Sequence, residues 1–405
     1  MPKTLTSLLK SKEEYRLPSK GEKMRKATLL DQPDEIKKVD KSNMLGHCMG
    51  LPDYCEDAIR RATQVIIPKE VKISKGFSIE YRKPKNILIA GMGGSAIGGE
   101  MLRGWLRDKL PVPVEICRDY NLPAYADADT LAFVISYSGD TEETLSAFVD
   151  AVRRKCMTVT ITSGGHLLSF SKNLNIPHVA IPDGWPSRAS FPYVFFPIAI
   201  LLRRIKIVPD IERDVEEALS VLRKVAKENA PEIPADKNPS KKLALEVEGT
   251  IPVVYGFGLY EGVAHRLKTQ FNENSKLLCR YDVFPELDHN EIVGWEASES
   301  LTKNFSVILL RDHEEHSELR HKIELTKSLI SKRAQKVHEI YAIGKGKLAR
   351  MLSLKCVGDF LTVYLAVLRG VDPTPVRSIE AIKRGMKERF DLVGRLRREI
   401  ENILS

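Results

Sequence analysis

Cysteine is sparse in this sequence, and no long apolar run interrupts it. The six cysteines, at 48, 55, 117, 156, 279 and 356, form no CxxC pair. That spacing gives no disulfide framework to read, and the six are expected as reduced core or surface thiols. No apolar run approaches the ~20 residues of a membrane span. HExxH is absent, and His313, His316 and His321 in "HEEHSELRH" lie among glutamates, in the pattern of an exposed charged helix. The first residues, "MPKTLTSLLKSKEEYRL", lack the apolar core and small-residue cleavage site of a secretory signal, so a cytoplasmic address is expected. What the chain has in excess is positive charge, +9 in 405 residues. Residues 1 to 30 hold eight basic residues and three acidic ones with weak apolar periodicity, the pattern of a mobile or loosely docked extension. No basic-aromatic platform accompanies it, so neither nucleic acid nor membrane is expected as a partner.

Beyond that extension, short apolar runs alternate with helical stretches. "NILIAG", "VPVEICRD", "TLAFVISYSG", "MTVTITSG" and "IPHVAIPD" read as strands, separated by helices such as "DTEETLSAFVDAVRRK" and followed by "YVFFPIAILLRRI". After the Pro-rich "NAPEIPADKNPSKK" the alternation restarts with "TIPVVYGFG", "NFSVILLRD" and "KVHEIYAIG". Alternation of this kind predicts an α/β fold with two mostly parallel sheets flanked by helices, a weak duplication visible in architecture alone. The expected division is an extension (1–42), a first domain (43–208), a connecting helix and linker (209–244), a second domain (245–375) and a C-terminal helical segment (376–405), its last helix spanning 378–404.

Two strand-to-helix junctions carry chemistry. In "NILIAGMGGSAIGGE" glycines surround Ser95. Gly91, Gly93 and Ala96 fit a dinucleotide loop loosely, but Glu115 and Asp119 are poorly placed for a ribose. In "SYSGDTEET", Ser136, Ser138, Thr141 and Thr144 put four hydroxyls around one helix start. Hydroxyls beside free helix N–H groups suit a phosphate monoester better than a pyrophosphate. One such residue would be only a cap; four, paired with the Gly94–Ser95 turn, point to a phosphate site.

The pairing of these junctions resembles the sugar isomerase (SIS) fold. The later segments "PSRASFPY", "QFNENSK", "ELDHNEIVGWE" and "DPTPVRSIEAIK" resemble, in the same order, the archaeal-type bifunctional phosphoglucose/phosphomannose isomerases. The resemblance covers roughly residues 45 to 390. Asp140 and Asp288 stand where asparagine is also common in that family.

It implies a hexose 6-phosphate substrate and an aldose–ketose isomerisation through a cis-enediol. Gly94, Ser95, Ser136, Ser138 and Thr141 hold the phosphate. Glu273 transfers the proton, Arg188 stabilises the enediolate, and His289 and Lys383 open the ring. His289 comes from the neighbouring subunit of a homodimer, and neither metal nor other cofactor is called for. Taken alone, Glu273 and Lys383 would pass for solvated helix residues and His289 for a surface histidine. Arg188 follows a strand at the sheet edge where α/β ligands bind, so a permanent cation there is well placed. The competing reading is a sugar-phosphate-binding SIS protein without catalysis. An amidotransferase of this fold would need an N-terminal cysteine nucleophile, and Met1-Pro2-Lys3 offers none.

Overall fold

The computed structural model describes residues 20–404. A hairpin of β1 (Glu70–Ser74) and β2 (Phe77–Glu80), not anticipated from the sequence, precedes two sheets. The first contains β3 (Asn86–Gly91), β4 (Val114–Cys117), β5 (Thr130–Ile135), β6 (Met157–Thr162) and β7 (His178–Ala180), in the order β4-β3-β5-β6-β7. The second contains β8 (Ile251–Phe257), β9 (Arg280–Phe284), β10 (Phe305–Arg311) and β11 (Lys336–Tyr341), in the order β11-β10-β8-β9. Every pairing in both sheets is parallel. Each sheet puts its second strand on one side of the first and its third on the other. The duplication read from the alternation is therefore a duplication of winding.

The burial pattern explains the apolar runs. All residues of β5 and β6 are buried, as in parallel strands covered on both faces. The helix Gly94–Leu106 lies so close to the helix Phe191–Arg204 that a Cβ on Gly98 would fall 2.6 Å from the Val194 carbonyl. This glycine serves packing rather than phosphate. One apolar cluster runs from Ile87 and Ile89 through Phe195 and Val263 to Ile308 and Leu310, joining the sheets. The helix Lys347–Leu368 is long and apolar enough to cross a membrane by composition, yet every residue of it after Lys347 is buried in the protein. Within it Asp359 accepts from Arg266 at 3.1 Å and pairs with Lys355 at 2.7 Å.

Two expectations need correction. From residue 20 onward the basic extension is docked helix rather than mobile tail: helices Lys20–Leu30 and Pro33–Val39 bury Leu30 and Ile36, and the helix Met44–Met49, at the start of the expected first domain, buries Met44 and Leu45. Lys26 pairs with Glu248, and the buried Asp40 carboxylate accepts from the amides of Met44 and Leu45 at 2.7 and 2.8 Å. Residues 1–19 lie outside the described residues. The expected single helix at 378–404 is two, Arg377–Arg389 and Leu392–Leu404. The break is at Phe390, which is extended (φ −132°, ψ 130°), after which Asp391 caps Gly394 N at 3.0 Å. The second piece packs Leu392, Leu396 and Ile400 into the core of the first sheet. The first piece buries no residue.

Candidate active site

β3 and β5 are neighbours in register, Gly91 opposite Ile135, so the turns that follow them meet at the carboxyl edge of the sheet. Winding reverses there, which opens the crevice where α/β proteins bind ligands. Gly93 turns through φ 51° into the helix Gly94–Leu106 and leaves Ser95 nearly buried, with Ser95 Oγ accepting from Tyr137 N at 3.3 Å. Tyr137 stands between Ser136 and Ser138, so the two junctions form a single site. Ser136 Oγ donates to Thr141 Oγ1 at 2.9 Å and accepts from Gly139 N at 3.1 Å. Ser138 Oγ accepts from Asp140 N at 3.3 Å. Thr141 gives no side-chain cap to the helix Glu142–Arg153, so first-turn amides remain available to an anion. Ser136 and Thr144 are both buried, and the Thr144 hydroxyl has no hydrogen-bond partner among the described residues. Asp140 accepts from His166 N at 3.0 Å and meets His166 Nδ1 at 2.7 Å, which fixes the loop from the next strand.

The 3-10 turn Ser187–Ser190 stands between these two turns and the helix that ends at Glu273. A Cβ on Gly94 would lie 3.2 Å from Ser187 Oγ, so the turn covers the glycine corner. The next residue, Arg188, is 4% exposed. Its Nε donates to Asn274 Oδ1 at 2.6 Å, Nη1 meets Glu273 Oε2 at 3.4 Å, and Nη2 donates to the carbonyls of Pro373 and Thr374 at 2.5 and 2.9 Å. Burial pushes this guanidinium down from its very high ordinary value, while Glu273 works to keep it charged. Glu273 ends the helix Glu261–Glu273, and its side chain keeps 26% of its surface exposed. It faces a cavity of about 710 Å³ whose wall includes Asn272, Lys276, Asp372 and Val376. A carboxylate open to a cavity and backed by a buried cation is equipped to move protons on a bound molecule.

The other two expected residues stay apart within one chain. His289 closes an exposed turn after β9, and Lys383 is exposed on the helix Arg377–Arg389. Among the described residues neither bonds to Arg188 or Glu273. His313 stacks on Tyr341 with centroids 4.9 Å apart, and His316 accepts from Leu319 N at its helix start, so each has a structural task.

Several site residues escaped the sequence reading. Ser187, Asn274 and Thr374 were all within quoted motifs, but their neighbours drew the attention. His47 stands at the edge of the resembling stretch, outside every quoted motif, and its ring lies 5.2 Å from that of Trp185. Burial lowers its pKa, with Arg188 adding to the shift and Asp40 opposing it. No local pattern at "MLGHCMG" signals that placement.

Hydroxyl-lined turns at one switch point, joined by a buried arginine to a carboxylate from a second sheet of the same winding, define a double-SIS protein. The family profiles agree: an SIS domain matches residues 80–177, and a bacterial phospho-glucose isomerase C-terminal SIS domain matches residues 236–386. A bifunctional phosphoglucose/phosphomannose isomerase of Caldicellulosiruptor bescii is 39% identical over 325 residues, covering 80% of this chain and 96% of the relative. One of Aquifex aeolicus is 35% identical, covering 75% and 91%. The chain belongs to the bifunctional phosphoglucose/phosphomannose isomerase family. A glucose-6-phosphate isomerase-like protein of Thermus thermophilus shares the fold, with a TM-score of 0.57 at 19% identity over 88% of this chain and 98% of that one.

Proposed function

We propose that this protein interconverts glucose 6-phosphate, and also mannose 6-phosphate, with fructose 6-phosphate through a cis-enediol. The observation that carries the reading is the Arg188 side chain, one residue from the phosphate turn and bonded to Glu273. It sets the distance between the charged end of the substrate and the base that works on its other end. The domain at 43–208 supplies the phosphate site, with Gly94, Ser95, Ser136, Ser138 and Thr141 as donors. The domain at 245–375 supplies the base.

With the ring open, Glu273 takes the proton from C2 and the C–H electron pair forms the C1–C2 double bond. The carbonyl oxygen at C1 becomes the enediolate oxygen, whose charge Arg188 balances. Transfer of the C2 hydroxyl proton to the C1 oxygen lets the C2–O electron pair form the carbonyl while the C1–C2 pair takes the proton back from Glu273 at C1, which gives the ketose and restores the carboxylate. Rotation about C2–C3 presents the other face of the intermediate to the same carboxylate, which admits the C2 epimer.

Ring opening falls to Lys383 and to the partner subunit's His289, in a homodimer with shared sites. Two features support a second copy. The helix that carries Lys383 shows Ile379 and Ile382 to solvent, with Phe390 exposed just beyond its end, and Val293, four residues after His289, is 58% exposed. Apolar surface so grouped fits a contact between chains. The test is a coupled assay of the purified protein on fructose 6-phosphate and mannose 6-phosphate, repeated after a chelator. Turnover that survives chelation is expected. Binding without turnover would favour the non-catalytic reading, and loss on chelation would show a metal-dependent enzyme.

A further inference from the structure

Lys276 follows Glu273 by three residues, and its backbone is left-handed at φ 52°. Non-glycine residues seldom hold that conformation, and they persist in it where surrounding contacts fix them. Here the side chain makes the contacts. Its ammonium donates to the carbonyl of Glu273 and to that of Pro373, the latter at 2.9 Å. The Pro373 carbonyl already accepts from Arg188 Nη2. Two cations share one acceptor, an arrangement that the carboxylates of Asp372 and Glu273 offset. The cluster ties together three segments: the turn bearing Arg188, the end of the helix bearing Glu273, and the loop 371–376. That loop leads into the helix of Lys383, which buries no residue of its own. Lys276 also lines the cavity that Glu273 faces.

We propose that Lys276 is a positioning residue of the isomerase site, fixing Glu273 against Arg188 and setting where the helix of Lys383 begins. This deepens the functional reading above and rests on it. The charged groups facing Lys276 are Arg188 from the 3-10 turn, Glu273 from its own helix and Asp372 from the loop. Burial first, and Arg188 second, push the ammonium down to about 8 against the pull of the two carboxylates. The clamp therefore loses its charge as pH rises through that value, and turnover falls with it.

Lys276→Met and Lys276→Arg test the role, with kcat, KM and the pH profile measured beside thermal unfolding. Lys276→Met is expected to lower kcat about 10- to 100-fold with little change in KM, as a displaced reacting group does. Lys276→Arg is expected to restore most of kcat and to carry the alkaline fall to higher pH. Wild-type kcat in Lys276→Met overturns the proposal, and so does an alkaline fall in Lys276→Arg unchanged from wild type. Should Lys276→Met unfold early, the pH profile of Lys276→Arg decides alone. A wild-type protein without isomerase activity refutes the functional reading instead, and the same assay shows that first.

Discussion

Replacing Arg188 with methionine removes a buried fork that serves, besides the longer contact to Glu273, three close acceptors: Asn274 Oδ1 at 2.6 Å and the carbonyls of Pro373 and Thr374 at 2.5 and 2.9 Å. Each net hydrogen bond is worth about 1 kcal/mol, which sets the gross loss near 3 kcal/mol. Methionine also ends the cost of keeping a guanidinium out of water, so the measured loss is expected at about 2 to 3 kcal/mol. The effect on turnover has a different origin. Without its nearest cation the enediolate is uncompensated, and loss of one such donor costs about 100- to 1000-fold in kcat. Urea unfolding and the coupled isomerase assay on one preparation read both quantities. Arg188→Lys separates them: it keeps a charge but cannot span all three acceptors, so it should recover more of kcat than of stability. A methionine variant that loses less than about 0.5 kcal/mol, the range of a neutral surface change, refutes the bridge. One that keeps wild-type kcat refutes the cation.

Gly139→Ala should collapse the phosphate loop, because φ is 73° and the new Cβ would fall 1.9 Å from the Gly164 carbonyl; a raised KM and a loss of more than about 1 kcal/mol in urea unfolding are expected. Ser138→Ala should raise KM for fructose 6-phosphate about tenfold, the worth of one charge-assisted hydrogen bond, and leave unfolding unchanged. Asp359→Asn strands the buried cations of Arg266 and Lys355, at a cost of about 3 to 5 kcal/mol at neutral pH. Burial alone would raise the pKa of Asp359, but the two cations outweigh it and hold it below the ordinary carboxylate range. The stability it contributes is thus present at neutral pH and lost as acid titrates the folded carboxyl, so the gap between variant and wild type should narrow in acid.

What the sequence disclosed follows from physical range. Buried parallel strands are rich in apolar and β-branched residues, so β3, β5 and β6 were legible, and so were the hydroxyl-rich turns after β3 and β5. Neither β9 nor the β1–β2 hairpin carries such a run: each strand is short, with one buried residue and the rest half-buried or exposed. The extension at 20–42 gave no clear helix signal because its few buried apolar side chains, Leu30 and Ile36, belong to two short helices and build no common period. The break at Phe390 has no proline or glycine to mark it. Within the site, Glu273 and Arg188 were named through motif resemblance, and the structure joins them at 3.4 Å. Lys276 was passed over in "QFNENSK" because a lysine after a helix end is ordinarily solvated. Only the fold reveals that its ammonium meets a loop nearly one hundred residues away.

The most direct test of the account is hydrogen exchange at C2. In deuterated water, wild-type protein should replace the C2 hydrogen of glucose 6-phosphate with deuterium while forming fructose 6-phosphate, as proton NMR follows. Glu273→Gln should bind the substrate within a few-fold of wild type and exchange nothing. Exchange at an undiminished rate in Glu273→Gln would contradict the account, for the carboxylate beside Arg188 would then not be the group that carries the proton.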